Sequence, residues 1–112
     1  MRAAEFLMEA ADVIVGNIMA GDYRVAVDQH VFDREQDRQL SREDIVAAIN
    51  KIASAKAKIK QLGNGQRFWL HDNTTDVSVG IRVVDLDRKL FLAKTVLGGR
   101  SYTTYFPTFE VR

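Results

Sequence analysis

His30-Val31-Phe32-Asp33-Arg34-Glu35-Gln36-Asp37-Arg38-Gln39-Leu40-Ser41-Arg42-Glu43-Asp44-Ile45 joins a segment of period two to a segment of helical period, and the fold is read outward from it. Upstream, Tyr23, Val25 and Val27 alternate with Arg24, Ala26 and Asp28, the pattern of a short half-buried strand. Downstream, Ser41-x-x-Asp44 is a capping-box variant that opens a helix. Ile45, Ala48, Ile49, Ile52, Ala55, Ile59 and Leu62 continue it as one apolar stripe, so the expectation is a single long helix ended by Gly63-Asn64-Gly65. Lys51, Lys56, Lys58 and Lys60 crowd its C-terminal half, where cations complement the helix dipole. They suit a solvated face or a binding surface.

Toward the N-terminus, Phe6, Leu7, Ala10, Ala11, Ile14 and Ile18 fall on a helical stripe with Glu5, Glu9 and Asp12 off it. This predicts a helix over 3–19, in an N-terminal unit of residues 1–21 with Gly21 as the stop. It packs on the domain or docks its stripe against another subunit.

Beyond Gly65 the period becomes two and predicts an antiparallel meander. The first strand is Arg67–His71, followed by the turn cluster 72–76. The second places Val77, Val79, Ile81 and Val83 on one face and Ser78, Gly80 and Arg82 on the other. The third runs from Lys89 to Leu97 with both faces apolar, which suits a central strand, and Gly98-Gly99 breaks it. The aromatic tail, residues 98–112, gathers Tyr102, Tyr105, Phe106 and Phe109 around the only proline, Pro107. It fits an edge strand, where proline is tolerated, and equally an arm that docks on a partner. The fold expected is α+β: an N-terminal helix, a strand, a long capped helix, and a three- to four-stranded antiparallel sheet.

The 112 residues suit one domain with a modest core. A formal net charge of +1 means that nucleic-acid binding would need its charge segregated onto one face. The absence of cysteine excludes a disulfide scaffold and thiolate metal sites, and fits a reducing, cytoplasmic compartment. No apolar run reaches the roughly 18 residues that span a membrane, so no membrane partner is expected. Acidic residues near the start argue against a signal or transit peptide.

No Walker loop, dinucleotide fingerprint, zinc-protease helix or nucleophile elbow occurs, and no cofactor or metal is implied. The strongest constellation is His30, Arg34 and Arg38, four residues apart and so on one helical face. An imidazole there can transfer a proton while two guanidiniums hold a phosphate and its developing charge. The competing reading is an exposed, salt-bridged helical turn. Lys94 interrupts an apolar face of the third strand, so it needs solvent or a partner, and it could reach the same anion with Thr95 as its neighbour. Trp69, beside Arg67 and His71, could stack on a base or pack at the core. Arg82 lies on the polar face of the second strand.

A strand entering His30-x-x-x-Arg34-x-x-x-Arg38-x-Leu40-Ser41-x-Glu43-Asp44-Ile45, then a helix and a meander ending in Lys94-Thr95-Val96, resembles the small phage- and plasmid-associated domains related to RelE-type toxins. These belong to the barnase–EndoU–colicin–RelE group. The resemblance covers residues 23–97 and leaves out the N-terminal helix and the aromatic tail. It implies an RNA-directed, metal-independent ribonuclease acting by phosphate-ester transfer in the cytoplasm, a host's if the chain is phage-encoded. On it, His30 is the acid/base, Arg34 and Arg38 bind the scissile phosphate, and Lys94 or Thr95 sits near it. Low net charge and the lack of a second matching acid/base residue depart from that pattern. The alternative expectation is a non-catalytic phage protein, a virion component or a modulator of a host protein. It would dock on a protein partner, or on itself as a homo-oligomer, through the N-terminal helix and aromatic tail. A third is a DNA-binding accessory without chemistry.

Overall fold

In the computed structural model, residues 13–32, 40–100 and 105–112 are described. The chain is organised around a mixed six-stranded sheet, not the expected three- or four-stranded antiparallel one. Its strands are β1 (Ile14–Ala20), β2 (Tyr23–Asp28), β3 (Arg67–Asp72), β4 (Val77–Asp85), β5 (Leu90–Gly98) and β6 (Thr108–Val111). They lie in the order β1-β2-β5-β4-β3-β6, with β2–β5 and β3–β6 parallel and the other pairs antiparallel.

The N-terminal correction is the largest. Residues 14–20, expected to close a helix, form a strand, and the remainder of that expectation, over 3–12, lies outside the described residues. The four-residue spacing of Ile14 and Ile18 satisfies period two as well as period 3.6. The run Val13-Ile14-Val15 is β-branched, and Gly16 follows it, so propensity favours the strand. Gly21 ends no helix. It has φ 63° and stands first in the two-residue loop between Ala20 and Tyr23, the position a type II′ hairpin turn reserves for glycine.

The single long helix is also replaced. Ser41 does cap α1 (Arg42–Asn50), its Oγ accepting the Asp44 N–H at 3.2 Å. The chain then tightens into a 3₁₀ segment, Ile52–Ala55, and a single further turn, α2 (Lys56–Ile59). Ile52 and Ala55 are three apart, so a three-residue turn keeps both pointing inward. The apolar stripe survives the break, since Ile45, Ala48, Ile49, Ile52, Ala55 and Ile59 all join the core.

These residues cover one face of the sheet, where Val25, Val27, Phe68, Leu70, Val79, Ile81, Val83, Phe91 and Val96 are buried with them. An aromatic chain crosses that face. Tyr23 and Phe91 are 5.5 Å apart, Phe91 and Phe68 meet edge-on at 6.3 Å, and Phe68 stacks on Phe109 at 5.2 Å. Phe109 and Val111 bring β6 into the core, so the end of the aromatic tail is an edge strand. Among the described residues no helix is long and apolar enough to cross a membrane.

β5 resolves the puzzle of a strand apolar on both faces. Ala93 pairs with Ile81 and Thr95 with Gly80, so Lys94 is the extra residue of a β-bulge. Phe91 and Ala93 face the helices before it, and Val96 does so after it. The bulge shifts the phase of the alternation by one residue.

Candidate functional site

β2 ends at Asp28, and residues 29–32 are helical. Asp28 caps that turn, its Oδ1 accepting the His30 backbone N–H at 2.9 Å, the N2 position of a capped helix. The same oxygen lies 2.7 Å from Nδ1 of the His30 ring. An ionised carboxylate only accepts, so Nδ1 carries the hydrogen and the lone pair of Nε2 is left free. Asp28 is 1% exposed and the His30 side chain 55% exposed, so a buried anion fixes the tautomer and aim of an imidazole that meets solvent. Among the described residues the other carboxylate oxygen, Oδ2, is buried without a hydrogen-bond partner, a state that costs about 1–3 kcal/mol. The mounting is firm. Val31 is fully buried, and the Arg42 guanidinium lies 4.2 Å over the Phe32 ring, tying the turn to the start of α1.

The remaining expected residues divide. Arg34 and Arg38 lie outside the described residues. Lys94 shares the dyad's end of the sheet. Val27↔Ala93 is the last β2–β5 pair in register, and Asp28 and Lys94 are the next residue on each strand. Lys94 is half-buried at the bulge and has a partner.

Thr95 and Trp69 are half-buried and pack against Gly80. A Cβ on Gly80 would meet Thr95 Cγ2 at 2.9 Å and the Trp69 ring at 3.3 Å, so both side chains pack over the glycine. The indole fills the space a side chain would occupy, and among the described residues its Nε1 is buried without a hydrogen-bond partner. The ring packs on the sheet's second face and is half-buried there. Arg67 and Arg82 stand opposite each other in register on β3 and β4. Arg82 pairs on to Leu92 and Leu92 to Ala26, so the two arginines lie in the row two residues before Asp28, Arg82 two strands across from β2 and Arg67 three.

Two polar clusters near the end of β3 are structural. Asp72 is fully buried, and its carboxylate accepts from Lys51 Nζ at 2.8 Å, Thr74 N–H at 2.9 Å and Thr75 Oγ1 at 2.8 Å. Burial pushes its pKa up, but these donors and the Lys51 charge outweigh that and hold it below the ordinary carboxylate value. His71 is buried with Nε2 2.9 Å from Asp76 Oδ1 and Nδ1 3.5 Å from Glu110 Oε1. The second approach is an ion-pair distance rather than a hydrogen bond, and among the described residues Nδ1 has no hydrogen-bond partner. Among the described residues, no group of three or more His, Cys, Asp or Glu is disposed to hold a metal ion.

Asp28 is the residue that sequence reasoning passed over, since its place in the alternation marked it only as the polar side of a strand. The available signal was Asp-x-His at a strand-to-helix junction, where an N-cap and a ring nitrogen can share one carboxylate. No protein-family model, curated protein or solved structure matches this chain.

Proposed function

We propose that the chain binds RNA and cleaves it by phosphate-ester transfer, with His30 as the proton-transferring group. The observation that carries this reading is the 2.7 Å Asp28–His30 pair, with its carboxylate buried and its imidazole open. In the proposed step, His30 Nε2 takes the proton of a ribose 2′-hydroxyl. That oxygen attacks the adjacent phosphorus, and the bond to the 5′-oxygen breaks. The leaving oxygen takes a proton from water, giving a 2′,3′-cyclic phosphate and a 5′-hydroxyl; the hydroxide that remains takes the proton back from the imidazolium. Asp28 stabilises that imidazolium without itself being protonated. Lys94, at the same end of the sheet, supplies positive charge for the phosphate.

Incubation of the full chain with single-stranded RNA in the presence of a chelator tests the reading. Wild type should yield cyclic-phosphate ends, and His30→Ala should lose about 10²–10⁴-fold in rate with an unchanged circular dichroism spectrum. Intact RNA in the presence of folded wild type, or undiminished cleavage by His30→Ala, would refute it.

A further inference from the structure

Charge along the chain is segregated. Residues 45–71 hold Lys51, Lys56, Lys58, Lys60 and Arg67 with no carboxylate, in a chain whose formal net charge is only +1. Lys51 is paired with Asp72, whereas Lys56, Lys58 and Lys60 are exposed on and just after α2. This basic run leads into a cleft of about 320 Å³ beside the start of β3, three strands across the sheet from β2, lined by Leu62, Gln66, Arg67, Tyr105, Phe106 and Pro107.

The lining is that of a site for a flat, polar ring. Tyr105 is 86% exposed at its rim, while the Arg67 guanidinium lies 5.8 Å from the Phe106 ring centroid. Leu62 and Pro107 supply apolar contact. The Gln66 side-chain oxygen is already held by the Gly63 N–H at 2.7 Å, so the amide offers its N–H donors to a ligand carbonyl or ring nitrogen. An aromatic face beside cations is the combination that holds single-stranded nucleic acid, the ring taking a base and the ammonium groups following the backbone.

We infer that this cleft is a nucleobase subsite of a single-stranded RNA chain, distant from the scissile bond. The inference rests on the RNA reading above and adds where the strand is gripped. Arg67 pairs through Arg82 and Leu92 to Ala26, so it stands three strands across from Asp28 and two residues back along them. With strands about 4.8 Å apart and a rise of about 3.3 Å per residue, the two are on the order of 16 Å apart. Only a strand of several nucleotides engages both, so the cleft acts on long substrates and not on short ones.

The test measures binding of a labelled oligouridylate of about twelve nucleotides by fluorescence anisotropy, on the full chain carrying His30→Ala so that nothing is cut. Adding Tyr105→Ala should weaken binding about tenfold, and Tyr105→Phe should restore it. With His30 intact, Tyr105→Ala should raise KM for the long strand and leave cleavage of a dinucleotide unchanged, a split that general damage to the fold would not produce. Equal affinity of the parent and the Tyr105→Ala chain overturns the subsite and leaves the RNA reading standing. A Tyr105-dependent affinity in a chain that never cuts RNA upholds the subsite and removes the chemistry. No affinity for the strand in either chain removes both.

Discussion

The two histidines of this chain stand near strand ends, each beside a carboxylate, and they are built for opposite ends. His30 has one ring nitrogen held by a buried aspartate and the ring open to solvent. His71 has both nitrogens facing carboxylates, Asp76 and Glu110, and its side chain is 5% exposed. A proton-transferring imidazole needs one nitrogen fixed and the other within reach of substrate. His71 meets the first need and fails the second. Its position in register with Glu110 on β6 makes it a fastener between the edge strand and β3.

Exchanging the damage gives the sharpest test of that comparison. His30→Ala should remove cleavage with little change in stability. His71→Ala should instead cost about 1–3 kcal/mol of unfolding free energy while kcat stays within a few-fold, read by denaturant titration alongside the RNA assay. Both variants losing activity with intact folds would mean that the distinction is false.

Asp28→Asn separates the two duties of one carboxylate. Asparagine caps as well as aspartate, so the melting temperature should hold, while the imidazolium loses its counter-charge and kcat should fall about a hundredfold. RNA cleavage at the parent rate by Asp28→Asn would reduce Asp28 to a helix cap.

Asp72 carries the pH dependence. Its folded pKa lies below its unfolded value, so its contribution to stability is complete above the unfolded pKa of about 3.9 and is lost as pH falls through the lower folded one. Asp72→Asn should cost about 2 kcal/mol at neutral pH, less than a wholly buried pair because the Lys51 side chain is 26% exposed. The two unfolding curves should converge below about pH 4, and parallel curves down to pH 2 would contradict the assignment.

The smallest effect is at Lys89, which closes the β4–β5 turn with φ 56°. Glycine there should add about 0.5–1 kcal/mol, since the exposed Lys89–Asp22 ion pair offsets little of the relief. A loss of stability in Lys89→Gly would show that the pair, or the Lys89 contact with the Tyr23 ring, outweighs the backbone strain.

The strands β2 to β5 were legible from their apolar runs of period two and from the turn residues between them. The segment 14–20 was not, because apolar residues four apart serve either period, and only the β-branched composition distinguishes them. Sheet order was beyond reach for another reason. The parallel β2–β5 and β3–β6 pairs join segments far apart in sequence, and no turn residue marks them. At the site, His30 could be singled out by its chemistry, while its anchor could not, because Asp28 satisfies the strand pattern and the cap equally well. The packing of Trp69 over Gly80 was not legible, because it depends on which residue of the neighbouring strand stands opposite the indole.

The bulge at Lys94 is the place where β5 can change length by one residue. Without Lys94, Ala93, Thr95 and Val96 would alternate in an unbroken ladder against Ile81, Gly80 and Val79, and Ala93 and Val96 would both still face the helices. Loss of that one residue would take a half-buried cation from the end of the sheet that holds His30 and leave the apolar alternation of the strand as it is.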